Sequence, residues 1–117
     1  MAENFETVFV RLRSIMLEAA PGMTIAKDKL GALELRTPKI DPKTKQPGWF
    51  GSVTIKKTYV AYHLMPLYYH PGVADGISSA LTKRKQGKTC FNFARSDEAL
   101  FKELAQLTQA CVPWADR

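Results

Sequence analysis

Residues Thr58 to Met65 read TYVAYHLM, and the placement of this run decides the fold. In an extended chain Val60, Tyr62 and Leu64 fall on one pleat face, and Tyr59, Ala61 and Met65 on the other. Both faces are therefore largely apolar. A strand of that kind is central in its sheet or covered on both sides. Pro66 closes it, and the stretch from Trp49 to Ile55 supplies a strand just before it.

Near the N-terminus, Phe5, Val8, Phe9, Leu12, Ile15 and Met16 recur at helical spacing, which predicts an amphipathic first helix stopped by Pro21-Gly22. KLGALELRT, Lys29 to Thr37, reads as a first strand with Leu33 and Leu35 alternating against polar neighbours. PKIDPKTKQPG, residues 38–48, reads as a long basic loop. Beyond Pro66 and Pro71, Val73, Ile77, Ala80 and Leu81 predict a short helix, weakened by Gly76 by about 1 kcal/mol relative to alanine.

Lys83, Arg84 and Lys85 fall in the last turn of that helix, where cations complement the macrodipole, and Gly87 suits a left-handed residue leaving it. A fourth strand covers Lys88 to Phe93, with Phe91 and Phe93 facing the core. The last helix starts at Ser96 as N-cap, buries Leu100, Phe101, Leu104, Leu107 and Cys111, and ends at Pro113. The order α-β-β-β-α-β-α predicts a single α+β domain over residues 1–117. It is a two-layer sandwich with a small, mostly antiparallel sheet, both terminal helices on one face and the other face partly open.

The 117 residues suffice for one core without staples, and no apolar run approaches the length of a membrane span. The N-terminus lacks a basic segment followed by a long apolar stretch, so no secretory signal is expected. Cys90 and Cys111 lack CxxC spacing and read as two reduced thiols of a cytoplasmic protein. The net charge of +6 is unevenly spread, at −1 over residues 1–35, +9 over 36–95 and −2 over 96–117. A central positive field of that size attracts phosphates, acidic proteins or anionic metabolites.

The GKT of Gly87 to Thr89 does not make a phosphate loop. A P-loop needs a glycine at position 82, where this chain has Thr, and it joins a strand to a following helix rather than the reverse. KTCFNF lacks the glycines and length of an RNA-binding RNP1 motif. Ser78 and Ser79 lack a GxSxG elbow, neither cysteine carries a nucleophile motif, and His63 and His70 form no HExxH pattern. These features favour a binding domain without a cofactor over an enzyme.

The candidate ligand surface comprises Lys57, Tyr62, His63, Tyr68, His70 and Lys88, with lysines supplying charge and tyrosines contact area and hydroxyls. Its occupant would be a small anionic or aromatic molecule or a protein partner. The alternative is nucleic-acid binding through Lys56, Lys57, Lys83, Arg84, Lys85 and Lys88. A further alternative is a metal held by His63 or His70.

KKTYVAYHLMPLY, residues 56–68, followed by a short helix and QGKTCFNF, residues 86–93, resembles the YdhG-like family of small, mostly uncharacterised domains. TPKIDPKTKQPGWFGSV, residues 37–53, extends the resemblance, which covers roughly residues 30–110. It implies a sandwich similar to the frataxin-like and YjbR-like folds and brings no catalytic residues with it. The wider group implies an iron-delivery role as well. Against that role, the first helix here mixes Glu3, Glu6 and Glu18 with Arg11 and Arg13, and the +9 segment repels a cation.

Overall fold

The computed structural model describes residues 5–40, 43, 45, 47–87 and 89–115. Helix α1 (Phe5–Ala19) precedes strands β1 (Thr24–Lys29), β2 (Ala32–Ile40), β3 (Pro47–Ile55) and β4 (Val60–Leu64). Two short helices, α2 (Pro66–Tyr69) and α3 (Ser79–Thr82), flank a 3-10 turn at Pro71–Ala74. Strands β5 (Lys85–Gln86) and β6 (Cys90–Phe93), helix α4 (Glu98–Cys111) and a 3-10 turn at Val112–Trp114 complete the chain. The strands form one antiparallel sheet in the order β1-β2-β3-β4-β6-β5.

The expected α+β sandwich is therefore present. β4 is the central strand, flanked by β3 and β6, and its alternation of fully buried Val60, Tyr62 and Leu64 with half-buried Ala61 and His63 shows one covered face. Of the two readings of TYVAYHLM, the one that makes the strand central holds. Val8, Phe9, Leu12 and Met16 of α1 and Phe101, Leu104, Leu107 and Cys111 of α4 pack on that face in one hydrophobic core. Phe93 meets Phe101 edge to face with ring centroids 5.1 Å apart. The periodic stripes of both long helices are buried as the sequence predicts.

Four local expectations are corrected. KLGALELRT is a hairpin rather than one strand, because Leu30-Gly31 forms a two-residue turn between the paired Lys29 and Ala32, with Gly31 at φ +87°. Only glycine takes that conformation without strain. The loop expected at 38–48 is shorter, because Ile40 pairs with Pro47 and both strands run into it.

The KRK segment does not form the last turn of the short helix expected from Val73 to Leu81, which is itself interrupted between the 3-10 turn Pro71–Ala74 and α3. α3 stops at Thr82, Lys83 caps it, and Lys85 pairs with Phe91 on β6. The β6 edge captures this segment through the Asn92 N–H, which donates to the Arg84 carbonyl at 2.8 Å. Gly87, at φ +70°, accordingly turns the β5–β6 hairpin rather than closing a helix. Finally, Asp97 rather than Ser96 caps α4, its carboxylate accepting from the Leu100 N–H at 3.2 Å. Asp97 has the extended backbone that an N-cap requires.

Two exposed ion pairs fasten α1 to its neighbours. Arg13 grips Asp28 of β1 in a two-pronged contact (Nε–Oδ1 2.8 Å, Nη2–Oδ2 2.6 Å), and Arg11 grips Glu98 at the start of α4. Gly51 marks a close approach of α1 to the sheet. A Cβ there would stand 2.6 Å from the His63 carbonyl oxygen and 2.8 Å from Met16 Cε.

Candidate functional site

The sheet face turned away from the helices carries the side chains that alternate out of the core. Glu34, Ser52, His63 and Cys90 lie in one register row across β2, β3, β4 and β6, and Gln86 of β5 extends it. Each is out of phase with buried neighbours such as Leu33 and Leu35, Tyr62 and Leu64, or Phe91. At the β2 end of this face the Arg36 guanidinium lies 3.9 Å from the centroid of the Trp49 ring.

The row converges on a thiol and an imidazole. His63 Nδ1 lies 3.2 Å from Cys90 Sγ and 3.0 Å from Thr89 Oγ1, and Thr89 Oγ1 lies 3.8 Å from the same sulfur. Burial holds the His63 imidazole below its ordinary value of 6.5, because a charged ring is poorly solvated there. The ring is therefore neutral at pH 7. In the tautomer protonated on Nε2, Nδ1 is an acceptor toward both the thiol and the hydroxyl.

The other thiol differs. Cys111 is fully buried among the helices on the opposite side of the sheet, and burial pushes it up to about 12. No family model, curated protein or solved structure matches the chain. The site is therefore read from its own residues.

Of the six residues expected to form a ligand surface, the five described ones do not come together. Tyr62 points into the core, where its hydroxyl meets Thr108, while His63, its neighbour on β4, points to the opposite face. Tyr68 and Tyr69 are exposed and pack edge to face on each other, and His70 lies against Trp114 with ring centroids 4.6 Å apart. Lys57 sits in the β3–β4 turn, at the other end of β4 from Tyr68. Lys88 lies outside the described residues. Among the described residues no group of three or more His, Cys, Asp or Glu side chains is arranged to hold a metal ion.

The basic residues are gathered more closely. The pairing of Val60 with Phe93 and the Asn92-to-Arg84 hydrogen bond bring the Lys56–Lys57 and Lys83–Arg84 turns to the same end of the sheet. Two strand spacings, on the order of 10 Å, separate them there. Lys29, beside the β1–β2 turn, and Arg95, just past β6, lie at that end too, and all six cations are exposed. Lys85 instead continues into β5, level with Phe91. Phe91 and Phe93 are buried and present no ring for a base to stack on, and Tyr59, beside the Lys56–Lys57 turn, is half-buried.

Sequence reading did not find Cys90, Thr89 or Ser52 as neighbours of His63. Alternation alone places Cys90 on the side opposite Phe91 and His63 on the side opposite Tyr62. That β6 lies beside β4 is a tertiary fact with no local signal. Among the described residues no helix is long and apolar enough to cross a membrane.

Proposed function

We propose that the protein is a non-enzymatic binding module of a reducing, cytoplasmic compartment, and that it docks an acidic segment of a protein partner on the basic end of its sheet. The observation that carries this reading is the gathering of Lys56, Lys57, Lys83 and Arg84, from two separate turns, at one end of the fold. Clustered cations raise the local concentration of an anionic partner and speed its association. An extended partner suits a surface built of turns better than a small ligand, which binds in a concavity. The burial of Phe91 and Phe93 favours an acidic peptide over single-stranded nucleic acid, whose binding uses exposed stacking platforms. The segments that resemble the YdhG-like family supply the Lys56–Lys57 turn, β4 and β6, and so build part of this surface.

The test is titration with a poly-glutamate peptide at rising salt, beside a single-stranded oligonucleotide of equal charge. Peptide affinity is expected to fall with salt. It should drop about tenfold in the K56A/K57A/K83A/R84A variant, since each exposed ion pair contributes about 0.2–1 kcal/mol. No binding at low salt, or equal binding by the variant, overturns the assignment. Tighter binding of the oligonucleotide overturns the choice of partner.

A further inference from the structure

Cys90 stands apart from any role in that docking. Its thiol lies on the open face of the sheet, half-buried, and is held between an imidazole nitrogen and a hydroxyl. A nucleophilic cysteine needs a base within hydrogen-bond reach to take its proton, and a surface by which a reactant arrives. Both are present. Nδ1 of His63 is at 3.2 Å, and the helices cover only the other face of the sheet. The residues flanking the pair along its row, Ser52 on β3 and Gln86 on β5, are uncharged, and the row's carboxylate, Glu34 on β2, stands one strand further off, beyond Ser52.

We propose that Cys90 and His63 form a thiol-exchange site, at which Cys90 takes up one half of a small, carboxylate-bearing disulfide as a mixed disulfide.

The step balances within sulfur chemistry. Cys90 Sγ attacks one sulfur of the small disulfide as His63 Nδ1 accepts the S–H proton. The Sγ–S bond forms, the S–S bond of the reactant breaks, and the departing thiolate takes the proton from the imidazolium. The small disulfide is reduced to one free thiol while Cys90 is oxidised to the mixed disulfide, and no other oxidant takes part. A neutral imidazole is the form that can accept the proton, which agrees with the burial of His63. Thr89 Oγ1, near both Nδ1 and Sγ, supplies a hydroxyl that can turn its proton toward the sulfur as negative charge develops there. The excess of cations over residues 36–95 favours a reactant that carries carboxylates. Cys111, enclosed in the core, serves as an internal control that the same reagent does not reach.

The experiment incubates the full chain with oxidised glutathione at pH 7 and follows adduct formation by intact-mass and peptide-mapping mass spectrometry. A cysteine of matched local sequence in a short peptide gives the uncatalysed reference rate. One adduct is expected, on Cys90 and absent in C90S, forming about a hundredfold faster than on the reference peptide, the range of positioned general-base catalysis. The H63Q variant should bring the rate back toward that of the peptide. A wild-type rate no faster than the peptide overturns the proposal without recourse to any variant. So does an H63Q rate equal to wild type in a folded protein, or labelling of Cys111 ahead of Cys90.

Discussion

The Tyr62 and Thr108 hydroxyls meet at 2.6 Å in the interior, joining the central strand to the last helix. Thr108 Oγ1 also donates to the Leu104 carbonyl at 2.8 Å, so the proton shared with Tyr62 comes from the tyrosine. Desolvation holds the phenol well above its usual range, and it stays protonated and able to donate.

The two ends of this bond are unequal. Tyr62→Phe removes the donor and leaves Thr108 still bonded to Leu104, a loss of about 1 kcal/mol. Thr108→Val leaves a buried phenol with no acceptor, at about 1–3 kcal/mol. Urea unfolding should rank Thr108→Val as the more damaging. The double variant should lose less than the sum of the two, since both changes delete the same contact. Equal single losses that add would show that the bond contributes nothing.

Two glycines should respond oppositely to alanine. At Gly51 the new methyl meets the His63 carbonyl, which belongs to the central strand and has no freedom to retreat, as well as Met16 Cε. Overpacking of this kind costs about 1–3 kcal/mol. At Gly76 nothing lies within 4 Å of the added Cβ and the backbone is not left-handed. Gly76→Ala should be neutral or stabilise by roughly 0.4–1 kcal/mol through the unfolded chain. Thermal melts of the two variants check the contrast, and a Gly51→Ala protein as stable as wild type would refute the close approach.

His63 should give the protein a dependence on pH below neutrality. An unfolded imidazole titrates near about pH 6.5, whereas burial sets the folded value lower. As the pH falls through about 6.5 the unfolded chain takes up a proton that the folded chain does not, so stability declines. The decline continues until the pH passes the lower folded value and then levels off. Above about pH 7.5 the histidine adds no slope. The difference in urea midpoint between wild type and His63→Gln, followed from pH 7.5 to 5, isolates this component. A constant difference across that window would show that His63 is as readily charged in the fold as outside it.

Much of the fold was legible because it is written in periodicity. The stripes Val8-Phe9-Leu12-Met16 and Leu100-Phe101-Leu104-Leu107 give both helices, and the apolar run at 58–65 gives the central strand. The β1–β2 hairpin was hidden because its turn is only Leu30-Gly31, and β1, exposed along its whole length, has no buried alternation to mark it as a separate strand. β5 was hidden because two residues hold no pattern, and its pairing partner decides its conformation. The separation of Tyr62 from His63 was legible in principle, since neighbours in a strand face opposite sides. The meeting of His63 with Cys90 was not, because it depends on which strand lies next to β4.

That adjacency has a kinetic consequence. β1 through β4 join consecutive neighbours, as do β5 and β6, so each of those pairings closes over a short connection. The β4–β6 pairing alone spans a long excursion, residues 65–89, and must overcome its loop-closure entropy before any contact offsets it. The N-terminal meander and the C-terminal hairpin can therefore form early and independently, with the seam between them closing late. His63 stands on one side of that seam and Cys90 on the other. A nascent or partly unfolded chain carries only an ordinary cysteine at position 90, and the paired thiol exists once the two halves have locked together.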